Sequence, residues 1–256
     1  MSELLVTRAV SRYFGGLAAV SNLNLTVRSG ELVGLIGPNG AGKTTVFNLL
    51  TGVYTPTSGD VMFEGKRVNG LRPYKMARIG IARTFQNIRL FRALTVLQNV
   101  QVAAALRARQ GFWSAVLRTP RQVHDDAAIR AQCMELLDRL DLAPYADTRA
   151  DALAYGVQRR LEIARALATH PSLLLLDEPA AGLNPNEKSE LMSLVERLRD
   201  EFSLTVLLIE HDMRVVMGIC ERIYVLDYGE IIAEGAPDAI AEDPKVIAAY
   251  LGTEEA

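Results

Sequence analysis

One stretch, GPNGAGKTT at 37–45, constrains this chain more than any other feature. It fits G-x-x-x-x-G-K-[ST] at Gly37, Gly42, Lys43 and Thr44, between a buried-strand pattern at 31–36 and a helical pattern at 43–50. Glycines let backbone N–H groups curl round a phosphate with no Cβ in the way. The start of the following helix adds partial positive charge. In such a loop Lys43 reaches the β- and γ-phosphates of a nucleotide, and the Thr44 hydroxyl ligates Mg²⁺. The expected cradle is Gly37, Pro38, Asn39, Gly40, Ala41, Gly42, Lys43, Thr44 and Thr45.

A phosphate loop needs an acidic partner for its metal. The run LLLLDEP supplies one, an apolar strand ending at Asp177 and Glu178. A carboxylate at the C-terminal end of a parallel strand lies where Mg²⁺ should sit, so Asp177 is the expected metal residue. Glu178 would orient and deprotonate the attacking water. An isolated Asp-Glu pair is commonly just a solvated strand end; coupling to the phosphate loop favours the chemical reading.

Short apolar runs at 31–36, 173–176 and 204–209 alternate with helical patterns. One such pattern places Leu191, Leu194, Val195 and Leu198 at i, i+3, i+4 and i+7. This argues an α/β fold with a largely parallel sheet. Residues 60–68 alternate around Gly65, and residues 223–226 and 231–232 flank the turn 227–230, so both read as hairpins. Short helices are expected at 236–241 and 244–251. From about 90 to 142 the pattern is helical instead, with Ile129, Cys133, Leu136, Leu137 and Leu140 at helical spacing. The expected division is a nucleotide-binding core at 1–89 and 165–256, and an inserted helical subdomain at 90–164.

Composition removes several classes. Among 256 residues, 49% are hydrophobic and 23% charged, as in an ordinary globular chain, and the net charge of −2 gives no overall basic footprint for nucleic acid. The apolar runs are far shorter than a membrane span, and the N-terminus shows no secretory signal pattern. Two distant cysteines, Cys133 and Cys220, read as buried thiols in a reducing compartment. His124 and His170 read most simply as surface or cap residues, Trp113 and the basic run Arg107, Arg109, Arg118 and Arg121 as a solvated face, with contact to a membrane partner or lipid headgroups the alternative, and Met213 and Met217 as core.

No N-K-x-D guanine motif is present. Four more elements are: Gln86 in RTFQ, LAYGVQRRLEIARAL at 153–167, AGLNP at 181–185 and LLIEHDM ending a strand at His211. In this order and spacing the chain resembles an ATP-binding cassette (ABC) ATPase over its whole length. RTFQNIRLF, LAYG, DEPAAGLNP, LLIEHDM and the tail PKVIAAYLG narrow the resemblance to the LivG-type ATPases of branched-chain amino-acid importers.

The resemblance implies a P-loop NTPase core with an antiparallel β subdomain and an inserted helical subdomain. It implies ATP and Mg²⁺ as cofactors and ATP hydrolysis as the reaction. Gln86 would bind Mg²⁺ or the attacking water, and His211 would contact the γ-phosphate. Phe14 stands where such ATPases stack an aromatic on adenine, with Tyr13 its rival; packing under the first hairpin is the alternative for either. The signature departs from the usual LSGGQ: Ala154, Tyr155 and Val157 replace Ser, Gly and Gln, while Leu153 and Gly156 remain. Such a segment caps the ATP held by the other subunit of a dimer, and backbone N–H groups at a helix start do this without a hydroxyl. Asn184 also replaces an Asp usual in the dimer-contact loop.

The implied partners are transmembrane permease subunits, a second ATPase subunit (identical or related) and, indirectly, a solute-binding protein; no nucleic acid is implied. The implied place is peripheral, on the cytoplasmic face of the inner membrane. A lipid-exporter ATPase would share every ATP residue. Soluble ABC proteins of DNA repair or translation carry long coiled coils or two cassettes; this chain shows neither sustained heptads nor a second phosphate loop.

Overall fold

The structure, a computed structural model, describes residues 2–106 and 120–251. Trp113, Arg107, Arg109 and Arg118 lie outside the described residues, as do the side chains of Arg121 and His124 and the last residue of the tail motif, Gly252.

The chain divides into two compact units, one formed by Met1–Gln86 with Ser172–Ala256 and the other by Asn87–Pro171. In the first unit β1 (Glu3–Phe14), β2 (Leu17–Leu23), β3 (Thr26–Arg28), β5 (Ser58–Phe63) and β6 (Lys66–Arg67) make a five-stranded antiparallel sheet. The β5–β6 hairpin is the one expected at 60–68. Long β1 runs through the sheet, and its bulges fall where Ala9 takes φ +49° and Arg12 shifts register against β2. An extra residue in one strand raises the local twist, which bends a long strand.

The second sheet has six strands in the order β11-β10-β4-β9-β8-β7. These are β4 (Leu32–Ile36), β7 (Ile81–Arg83), β8 (Leu173–Asp177), β9 (Thr205–Ile209), β10 (Arg222–Asp227) and β11 (Glu230–Gly235). All neighbours are parallel except the β10–β11 hairpin at the edge. Strands β4, β8 and β9 are buried at every position, as expected of unbroken apolar runs covered on both faces. The helices of this unit are α1 (Lys43–Leu50), α2 (Pro73–Ile79), α6 (Pro185–Phe202), α7 (Met213–Ile219), α8 (Pro237–Ala241) and α9 (Pro244–Leu251). One continuous core joins the two sheets of this unit: Leu5, Val27 and Phe63 pack in the same cluster as Leu35, Phe47, Leu175 and Tyr224.

The second unit is helical: α3 (Val96–Ala104), α4 (Pro120–Arg139) and α5 (Tyr155–Leu167), with two single-turn helices between α4 and α5. Helix α3 opens on a reciprocal cap, in which the Thr95 hydroxyl accepts from the Gln98 N–H and the Gln98 side chain accepts from the Thr95 N–H. Buried Asn99 donates to the carbonyls of Phe91 and Thr95 and accepts from the Phe91 N–H, which fixes the chain entering this helix. Cys133 and Cys220 are both buried, free thiols.

Candidate active site

The loop after β4 turns at Gly37, whose φ is +150°; a Cβ there would stand 1.9 Å from the Leu226 carbonyl oxygen. Gly42 takes φ +105° as the residue capping α1, and a Cβ there would lie 2.5 Å from the Ala19 oxygen. Two close backbone approaches therefore exclude every side chain at these positions. Gly40, at φ +82°, instead faces open space. No side chain caps α1 and its first turn carries no acid, so the N-terminal end of the helix dipole is left for an outside anion.

Lys43 is buried, and its Nζ donates to the carbonyls of Gly37 and Pro38 at 2.7 and 2.8 Å. Burial pushes its ammonium below the usual lysine range, while the charges of Glu178 and Asp177 pull it back up. The lysine therefore lies within the field of both acids. Thr44 is exposed beside it.

Asp177 is the last residue of β8, and Glu178 follows at φ +46°. Its N–H donates to the Ile209 carbonyl at 2.9 Å, so the bend after β8 is tied to the end of β9. On Glu178 two of the expected site residues converge. Gln86 donates its side-chain N–H to Glu178 Oε2 at 2.8 Å, and His211 Nδ1 lies 3.7 Å from the same oxygen. Residues from two distant places in the sequence thus meet on one carboxylate.

Phe14, at the end of β1, is 38% exposed; its ring meets Tyr54 edge-on at 5.2 Å, with the Arg12 guanidinium 4.7 Å over it. Tyr13 is exposed at its side. Gly156 lies in the first turn of α5, where Ala154 is the capping residue and no side chain caps the helix. Tyr155, exposed, accepts from Arg159 at 3.0 Å through its hydroxyl. Asn184 accepts from the N–H groups of Asn186 and Glu187, and the Glu187 side chain accepts from Asn184, so the residue at the altered Asp position caps α6.

Two charged residues at this site escaped the sequence reading. Glu210 is 1% exposed and accepts from the N–H groups of Ala180 and His211 at 2.8 and 3.2 Å, joining the turns after β8 and β9. Arg83 ends β7, with its NH2 2.7 Å from Asp177 Oδ2 and its NH1 2.7 Å from Asn48 Oδ1. The available signal was the same in both: a charge set against a buried apolar run, which demands a partner.

The site offers hard oxygen donors, Asp177 and Thr44, and among the described residues no group of three or more metal-ligating side chains. That donor set fits Mg²⁺ carried on a nucleotide, which takes one or two protein oxygens and keeps waters and phosphates for the rest.

The ABC transporter family profile matches residues 20–181, and that of the branched-chain amino acid ATP-binding cassette transporters matches 230–256. The high-affinity branched-chain amino acid transport ATP-binding protein LivG of Salmonella typhimurium is 50% identical over 251 residues, 97% of this chain and 98% of the relative. The ADP conformation of MJ1267, an ATP-binding cassette of an ABC transporter, superposes with a TM-score of 0.84 at 30% identity, covering 98% of this chain and 100% of that one. The dimeric structure of MJ0796, a bacterial ABC transporter cassette, does so at 0.76 and 29%, covering 91% and 99%.

Proposed function

We infer that this chain, which belongs to the ABC transporter family of ATP-binding cassettes, is the ATP-hydrolysing subunit of an importer of branched-chain amino acids. The observation that carries the hydrolytic reading is the convergence of Gln86 and His211 on Glu178, beside a buried lysine of the phosphate loop. The C-terminal match at 230–256 and the LivG likeness support the solute class.

In this reading residues 37–45 wrap the phosphates of ATP. Lys43 exchanges the carbonyls of Gly37 and Pro38 for the β- and γ-phosphate oxygens, so its charge is buried before and after binding. Thr44 and Asp177 hold Mg²⁺, which when bound neutralises charge on the phosphates. Glu178 accepts the proton of the attacking water, and Gln86, already hydrogen-bonded to it, orients that water. His211 donates to the γ-phosphate. Phe14 stacks on adenine. The work is positioning and charge neutralisation, with no covalent intermediate on the protein.

A second ATPase subunit, related or identical, pairs with this chain, and the Gly156 segment presents its backbone N–H groups to the γ-phosphate of the ATP which that subunit holds. Closure of the pair drives transmembrane permease subunits, which receive solute from a solute-binding protein. The chain works peripherally at the cytoplasmic face of the membrane; no described helix is long and apolar enough to cross one.

The test is Glu178→Gln. Glutamine keeps the shape and loses the base. We expect ATP affinity within about twofold of the unmodified chain and turnover reduced at least about 100-fold, the scale of a general base. Calorimetry and phosphate release measure the two. Undiminished turnover would remove Glu178 from the mechanism.

A further inference from the structure

Arg83 has no part in the roles assigned above, yet its pair with Asp177 is almost fully buried: the side chains are 7% and 6% exposed. The guanidinium is also flanked by two aromatic rings, Phe47 at 5.4 Å and Phe85 at 5.2 Å. Its NH2 takes Asp177 Oδ2 and its NH1 takes Asn48 Oδ1. A lone buried ion pair is poor evidence for stability, because desolvation offsets most of the attraction. Its geometry is informative instead. Asn48 belongs to α1, which starts at the phosphate loop. Asp177 ends β8. Arg83 ends β7, opposite Leu175 in the parallel ladder and three positions before Gln86. One planar, always-charged fork thus ties together the helix behind the phosphates, the metal-binding carboxylate and the strand leading to Gln86.

We propose that Arg83 is a positioning residue for the metal site: it holds Asp177 by Oδ2 so that the carboxylate meets Mg²⁺ in a fixed orientation, and it anchors that carboxylate to the strand that carries Gln86. Groups that orient a ligating carboxylate from behind typically set metal affinity by about 10–100-fold when removed. The inference rests on the reading of Asp177 as a Mg²⁺ residue, and the experiment separates the two.

Binding of Mn²⁺, as a paramagnetic stand-in, to the ADP-saturated chain is followed by electron paramagnetic resonance, with no turnover involved. ADP affinity in chelator is measured alongside by calorimetry. Arg83→Gln is expected to leave metal-free ADP affinity within about twofold and to raise the Mn²⁺ half-saturation about tenfold. Arg83→Lys, which restores charge at one point, should recover part of the loss. Asn48→Ala keeps the guanidinium but removes one of its anchors, and should give a smaller shift in the same direction. An unmoved or lowered half-saturation in folded Arg83→Gln overturns the proposal. Should that variant fail to fold, an unmoved half-saturation in Asn48→Ala overturns it instead. Asp177→Asn is the control. If it too leaves Mn²⁺ binding unchanged, the metal reading of Asp177 falls and this inference with it; if only Asp177→Asn weakens binding, the inference alone falls.

Discussion

Glu210 shows how one buried charge organises two turns. It accepts from the N–H of Ala180 on one side and of His211 on the other. Burial pushes its carboxyl above the usual carboxylate range, against the opposing pull of those N–H groups and of His211. The folded state therefore holds its proton more tightly than the unfolded chain does. Between the unfolded and folded values the native state binds more protons, so this residue's contribution to stability is greatest at low pH and declines as pH rises through that window. Glu210→Gln removes the titration. In urea unfolding, the stability of the unmodified chain relative to this variant should fall as pH rises above about 4.5, the unfolded value, and level off once Glu210 is ionised in the fold; a flat difference throughout would contradict the assignment. Glu210→Ala should cost about 1–3 kcal/mol at the acid end of this range, because the Ala180 N–H is left buried without an acceptor.

Among the elements, β4 is one of the three strands buried at every position. It runs between β9 and β10 and delivers the chain to the phosphate loop. Gly34, at its middle, has no positive φ; its constraint is the space behind it. A Cβ there would lie 3.1 Å from Cys220 Sγ and 3.2 Å from Val216 Cγ1, both buried where α7 covers the sheet. Neither neighbour has solvent to move into, and burial raises the Cys220 thiol to about 12. Gly34→Ala should destabilise by about 1–3 kcal/mol, as overpacking does. Cys220→Ala in the same chain should recover part of it, since it removes the nearest atom. Denaturant midpoints of the two single variants and the double variant measure the coupling, and strict additivity would place the clash elsewhere.

For the whole molecule, the phosphate loop is in one unit and the LAYG segment opens a helix of the other. Pairing of two ATPase subunits is what the proposed function requires. Ala154 is the residue before that helix, extended at φ −60° and ψ 152°, with no side-chain oxygen for the first turn. A serine there would cap its own helix, adding about 1 kcal/mol, and would offer a hydroxyl to an opposing phosphate. A hydrogen bond to a charged group contributes about 1.5–3 kcal/mol, or roughly tenfold and more in an equilibrium constant. Ala154→Ser, placed in the Glu178→Gln background, should lower the ATP concentration for half-maximal association of the two ATPase subunits by about tenfold. Sedimentation at graded ATP measures it. A raised melting temperature with an unchanged association midpoint would mean that residue 154 only caps its helix.

The sequence by itself determined the phosphate loop, the order of the parallel strands' apolar runs and both hairpins, because each is local. A Gly-rich turn before a helix, an unbroken run of leucines and an alternation around Gly65 are legible within about ten residues, the range over which backbone geometry repeats. The long N-terminal strand β1 did not stand out in that way, since its bulges break the alternation. Only the tertiary structure decided which charges meet. Arg83 and Asp177 are far apart in sequence, and although Asp177 is legible as a site residue, nothing local pairs it with Arg83 until β7 and β8 lie side by side. Glu210 likewise acquires its meaning from Ala180, which β8 and β9 bring within reach only by pairing. A buried charge is specified by its partner, and the partner is chosen by strand order, a long-range property that no local spacing encodes.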